Sequence, residues 1–267
     1  MEAVVVVGLA GLLGLALGSF ATVAIHRWPR GAAVTEPKRS ACPTCGAMVA
    51  PRDNVPVLSF LLLRGRCRAC GAGISPRYAV VELTTALLFA AVTWVWGWHP
   101  LLPALLVFVW ALVVATAIDL EHRIIPNRLT YRLPFVLLPL VVLAAALDGD
   151  WAALRGGVIW ALVVPAVMFT FAELFRLVRG QAGMGMGDVK LAVSIGLVVG
   201  NLGGVHLVAF AYATIGAAVV VVVGLLVSGR ARLASRVPFG PYLAAGSLVV
   251  VLAPDASATA VRTVLGV

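Results

Sequence analysis

Apolar runs recur along the whole chain, several of them long enough to cross a bilayer, and they leave few other ways for it to fold. They cover Ala3–Ile25, Tyr78–Trp96, Leu101–Ile118, Leu133–Leu147, Val158–Leu177, Val189–Val199, Val205–Val227 and Tyr242–Leu252. About 20 apolar residues cross the hydrocarbon core as a helix, whose backbone hydrogen bonds close internally. The sixth and eighth runs are shorter, which burial by neighbouring helices can accommodate. Of 267 residues, 62% are hydrophobic and 12% charged, with a mean hydropathy of +1.06. A soluble domain is about a quarter charged, and a disordered chain is polar and charge-rich. Both classes are excluded. The expected fold is an all-α polytopic membrane protein of about eight transmembrane helices, with membrane lipid as its solvent.

The first run begins after Glu2 and carries Gly8, Gly11, Gly14 and Gly18. It is too long for a signal-peptide core and lacks a basic start, so it is expected to stay as a spanning helix. Its glycines form a small-residue face suited to close helix packing. The expected division is 1–25 as first helix, 26–77 as an extramembrane domain, and 78–267 as the remaining membrane domain.

The basic residues give the orientation. With His26–Arg77 on the cytoplasmic side and the spans alternating, 18 of the 20 Lys and Arg fall inside, and only Arg155 and Arg262 fall outside. The positive-inside rule then puts both termini outside the cytoplasm. The same distribution accounts for the net charge of +9 without nucleic acid, because residues split among four loops make no continuous binding stripe.

Cys42-Pro-Thr-Cys45-Gly and Cys67-Arg-Ala-Cys70-Gly are two CxxC knuckles in that loop. Four thiolates at such spacing suit a tetrahedral zinc ion, and a reducing cytoplasm disfavours disulfides. A closed four-cysteine site has no open position for catalysis, so the zinc would be structural. Metal-free thiols, a redox pair or another metal are the alternatives.

Four of the 11 acidic residues, Glu82, Asp119, Glu173 and Asp188, lie in or beside the apolar runs, toward the cytoplasmic face. A carboxylate there is costly and marks a functional candidate. Asp119 ends the third run. Asp188 opens the sixth, behind Gly183, Gly185 and Gly187 and before Lys190. The glycines would let a substrate backbone approach. Two aspartates on separate helices at one depth can form a dyad, one carboxylate activating water and the other donating a proton. Interfacial capping is the alternative for each. Lys190 either orients Asp188 or anchors the helix at the interface, Glu82 either pairs with Arg77 or serves a ligand, and Glu173 is expected to pair with Arg176.

These motifs, with Gly18-Ser-Phe20, His26-Arg27-Trp-Pro29, Asp53-Asn54-Val-Pro56, Ile125-Pro126-Asn127 and Pro238-Phe-Gly240-Pro, resemble the type IV prepilin leader peptidases, the bifunctional peptidase/N-methyltransferases of the GxGD aspartyl protease class. The resemblance runs nearly end to end. It implies cleavage of the basic leader of type IV prepilin or pseudopilin precursors at the cytoplasmic face, with Asp119 and Asp188 as catalytic aspartates and Gly185, Gly187 and Lys190 in the active-site loop. It further implies methylation of the new N-terminal amine from S-adenosylmethionine, with Glu82 as a candidate for that step. Thr22, Ala79 and Asn127 stand where the family usually has Asn, Pro and Asp. A peptidase without methyl transfer, a proton-coupled transporter and a non-enzymatic assembly protein built around the zinc loop are the other readings. An Asp119→Asn change separates the last two from a protease.

Overall fold

The computed structural model describes residues 2–35, 40–180, 184–229 and 238–266. Lys38, Arg39, Gly183, Arg230, Arg232 and Arg236, used above for orientation and for the glycine loop, lie outside the described residues. The described chain is helical, and its extended pairing is confined to two isolated antiparallel bridges, Ala41–Met48 and Arg66–Gly73. It divides into two compact units, Met1–Gly97 and Trp98–Val267.

In the first unit, α1 (Glu2–Arg27) packs along α3 (Arg77–Trp96), with the short α2 (Leu58–Leu62) in the segment between them. A Cβ on Gly14 would sit 2.7 Å from the Cα of Ala86, and one on Gly18 would sit 2.7 Å from the Cα of Glu82. Only glycine permits backbones that close. The pairing order makes the two helices antiparallel, so Arg27 and Arg77 lie at the same end and the cysteine segment is tethered there by both. Gly11 makes an ordinary contact and Gly8 none, so two of the four glycines form the tight face.

The second unit comprises α4 (Leu102–His122), α5 (Asn127–Thr130), α6 (Arg132–Asp148), α7 (Trp151–Arg179), α8 (Met186–Asn201), α9 (Gly204–Val227), α10 (Gly240–Leu252) and α11 (Pro254–Leu265). Asp150 caps α7 by accepting from the Ala153 N–H at 2.9 Å, and Gly180 ends it at φ 69°. Glu173 and Arg176 on α7 pair at 2.6 Å, as their spacing predicts. Helix α8 is wrapped by α6, α7, α9 and α10. Its Gly196 and Gly200 seat Trp160 of α7, and Gly157 of α7 meets the Leu197 carbonyl.

Among the described residues six helical segments are long and apolar enough to cross a membrane, or seven if α10 and α11, bent by 102°, count as one. The expected eight are not confirmed. Helix α8 has 16 residues, about 24 Å at 1.5 Å per residue, against a hydrocarbon core of about 30 Å. Its Leu191, Ala192, Ile195, Val198 and Val199 are buried against protein. A short helix of this kind is accommodated by the helices packed around it.

Candidate active site and metal centre

Asp119 occupies the last turn of α4, which Arg123 ends in the left-handed region at φ 55°, its N–H donating to the Asp119 carbonyl at 2.8 Å. The Asp119 side chain is buried, and its Oδ2 accepts from the backbone N–H of Gly240 at 2.9 Å. Gly240 is the first residue of α10, so the carboxylate faces the positive end of that helix. A Cβ on Gly240 would lie 2.8 Å from Asp119 Oδ2. The absence of a side chain there is what admits the carboxylate.

Asp188 lies in the first turn of α8, also buried, with its N–H donating to the Gly185 carbonyl at 3.1 Å. At Gly185 the loop before α8 runs close to the Asp188 carboxylate. Asp188 Oδ1 is buried with no hydrogen-bond partner among the described residues. The two buried aspartates thus lie at the ends of helices α4 and α8, which pack against each other, and one Asp188 oxygen is open.

The glycines around Asp188 run close to other parts of the chain. A Cβ on Gly185 would lie 3.0 Å from Asp188 Oδ2, and one on Gly187 would lie 2.9 Å from the Cβ of Ile125. Lys190 turns away from Asp188. Its Nζ donates to Asn127 Oδ1 at 2.8 Å and lies 4.8 Å from the centre of the Tyr131 ring.

In the first unit the four cysteine sulfurs lie within 4.8 Å of one another, and Cys42 Sγ and Cys70 Sγ are 3.8 Å apart. A tetrahedron with metal–sulfur arms of about 2.3 Å has edges of about 3.8 Å, so the residues fit a metal ion. The two knuckles are copies of one frame. Cys42 N–H bonds the Ala47 carbonyl at 2.9 Å and Cys67 N–H the Ala72 carbonyl at 2.8 Å, while Gly46 and Gly71 turn at φ 72° and 71°. Backbone N–H groups of Cys45 and Thr44 lower the Cys42 thiol to about 6. At Cys70 the Ala72 N–H favours the thiolate, yet the Cys45 sulfur, burial, and then Cys67 and Cys42 push it up to about 12. Four thiolates this close need a cation to ionise together. Arg68 of the second knuckle grips Asp53 with contacts of 2.6, 2.9 and 3.1 Å, tying it to the stretch that follows the first.

Glu82 is buried on α3, and its Oε2 accepts from the Val57 N–H at 2.7 Å. Val57 has φ 60° and ψ −48°, and the Leu58 N–H bonds the Pro56 carbonyl at 2.5 Å. This is a γ-turn with positive φ at a β-branched residue, a strained arrangement costing about 1–3 kcal/mol. Glu82 thus holds the loop backbone at its strained point.

Sequence reasoning passed over three of these partners: Gly240, Asn127 as the acceptor for Lys190, and Val57. The only local signal was Gly-Pro at the start of α10, a helix-opening pair.

The family model described as bacterial peptidase A24 N-terminal domain matches residues 12–96, and that of the type IV leader peptidase family matches residues 106–227. The chain is 36% identical over 270 residues to the prepilin leader peptidase/N-methyltransferase of Pseudomonas aeruginosa, covering 91% of this chain and 89% of that protein. It is 35% identical over 276 residues to the protein of that name from Pseudomonas putida, covering 96% and 93%. With the one from Neisseria gonorrhoeae the identity is 30% over 272 residues, covering 93% and 91%. No solved structure matches it.

Proposed function

The chain belongs to the type IV leader peptidase family, and from that membership and the buried aspartates we propose that it is a membrane aspartyl endopeptidase for prepilin-like precursors that also methylates the new N-terminus. The observation that carries the protease reading is the burial of Asp119 and Asp188 on two helices that pack together, with a backbone donor on one and an open oxygen on the other. One carboxylate takes a proton from water as the oxygen attacks the scissile carbonyl. The other, protonated, gives its proton to the carbonyl oxygen. The C–N bond then breaks as the amine leaves with a proton.

A prepilin-type leader is basic and its following segment apolar, so the scissile bond would lie at the cytoplasmic edge of the bilayer. The 18-to-2 division of Lys and Arg supports that side for the site and for the cysteine segment, in the plasma membrane. We assign the metal centre to 26–77, where zinc held by Cys42, Cys45, Cys67 and Cys70 would fold the loop, and peptidase chemistry to 78–267. S-adenosylmethionine would supply the methyl group for the amine. Glu82, already holding Val57, would act in that half of the reaction by fixing the loop.

Purified full-length protein is incubated with a peptide bearing a basic leader and an apolar segment, with and without S-adenosylmethionine, and read by mass. The expected products are the shortened peptide and, with the methyl donor, its singly methylated form. Asp119→Asn and Asp188→Asn should each lower turnover by about 100- to 10,000-fold while the protein stays folded. Near-normal turnover in either variant would refute the dyad. Cleavage without any mass gain would refute methyl transfer alone.

A further inference from the structure

Asp188 is bracketed by two contacts to a single stretch of chain. One residue before it, Gly187 lies against Ile125, whose Cβ, carbonyl oxygen and nitrogen would be 2.9, 3.1 and 3.2 Å from an added Cβ. Two residues after it, Lys190 donates to Asn127 at 2.8 Å and covers the Tyr131 ring at 4.8 Å. Ile125 and Asn127 follow Asp119 directly, across the left-handed turn at Arg123. The same segment is therefore continuous with one aspartate and clamped to the helix bearing the other. Residues two apart on a helix do not face each other, so Lys190 reaches this segment and not the Asp188 carboxylate. Any sliding or rotation of the α8 start past α5 breaks the Lys190 contacts first, because Gly187 alone leaves α8 free to pivot.

We infer that the Lys190–Asn127 contact, backed by Tyr131, is a clasp that fixes the separation of Asp119 and Asp188, making Lys190 and Asn127 positioning residues for the cleavage step. The inference rests on the aspartyl protease reading above. It assigns to Asn127 the role of a side-chain oxygen acceptor, which an aspartate would fill equally well and an apolar residue would not. A misplacement of about 1 Å between catalytic groups costs up to about 100-fold in rate, so loss of the clasp is expected to lower kcat by about 10- to 100-fold. KM should move by less than about threefold, because the clasp does not touch substrate.

The test is a double-mutant cycle on the purified full-length protein with the leader peptide: Lys190→Met, Asn127→Leu, and both together, with Asn127→Asp and Lys190→Arg as conservative replacements. The expected result is that each single variant loses kcat, the double variant loses no more than the worse single, and both conservative variants retain most of the activity. Thermal melting accompanies each variant, and a kcat loss is expected without a matching fall in Tm. Losses that multiply in the double variant, or an Asn127→Asp enzyme as slow as Asn127→Leu, would overturn the clasp while Asp119-dependent cleavage by the parent protein left the protease reading intact. A parent protein whose cleavage does not depend on Asp119 would overturn both.

Discussion

Placing a single methyl group on Gly240 tests the site at its tightest point. An alanine Cβ there would meet Asp119 Oδ2 at 2.8 Å and the Asp119 Cβ and Cγ at 3.3 Å. Ordinary contact begins near 3.4 Å, so a gap of about 0.6 Å must open by moving either the carboxylate or the start of α10. Either movement lengthens the 2.9 Å bond from the Gly240 N–H. Overpacking of this kind costs about 1–3 kcal/mol of stability, partly offset by the better helix propensity of alanine. The larger effect falls on rate, since a catalytic group displaced by the better part of an ångström loses about 10- to 100-fold. Steady-state cleavage of the leader peptide by Gly240→Ala, alongside a melting curve in detergent, measures both. Gly216→Ala on α9, where an added Cβ meets nothing within 4 Å, is the matched control and should leave kcat unchanged. A Gly240→Ala enzyme with kcat within about twofold of the parent would show that the Asp119 carboxylate need not sit where Gly240 holds it.

Metal analysis of the purified protein should give about one zinc per chain, and Cys70→Ser should lose it and make the 28–76 segment protease-sensitive while part of the peptidase activity survives. Retention of full zinc by that variant would contradict four-cysteine ligation. On α1, Gly18→Ala should cost about 1–3 kcal/mol because its Cβ would meet Glu82 backbone at 2.7 Å, whereas Gly8→Ala, with nothing in reach, should be neutral by melting. The Arg68 guanidinium beside Asp53 holds that carboxyl below its usual range. A lowered folded value means that the pair's stabilisation is present above the ordinary carboxylate pKa, about pH 4, and is lost as pH falls through the lowered value. The stability difference between the parent and Asp53→Asn should accordingly be constant near neutrality and shrink on acidification. A difference that persists into acid would assign it to something other than the ion pair.

What the sequence carried was mostly local. Glu173 and Arg176 are one helical turn apart, and spacing alone paired them. The two CxxC knuckles told of a four-sulfur cluster because each knuckle is a self-contained turn and only one partner knuckle exists. Asp119 and Asp188 stood out because ionisable groups are rare in apolar runs. The partners of those aspartates did not stand out. Gly240 lies 121 residues from Asp119, and Asn127 lies 63 residues from Lys190. Periodicity reports which face of a helix is apolar and cannot say which distant backbone will touch it. Nor does it say how far the apolar residues of α8 face neighbouring helices, against which many of them are buried. Val57 carries no sequence mark at all, because its positive φ accompanies a bond to Glu82, 25 residues away.

The contact between Asp119 and Gly240 also bears on the order in which the protein becomes active. Synthesis delivers α4 first, then α8, and α10 after both. A nascent chain therefore holds both aspartates in the membrane before the amide that orients one of them has been made. On the proposed mechanism such a chain is an incomplete protease, and its activity switches on when the last part of the second unit folds back against α4. Biogenesis then provides a safeguard that a site drawn from one continuous stretch would lack: fragments arising from premature termination upstream of α10 carry the reactive carboxylates but not the means of aligning them.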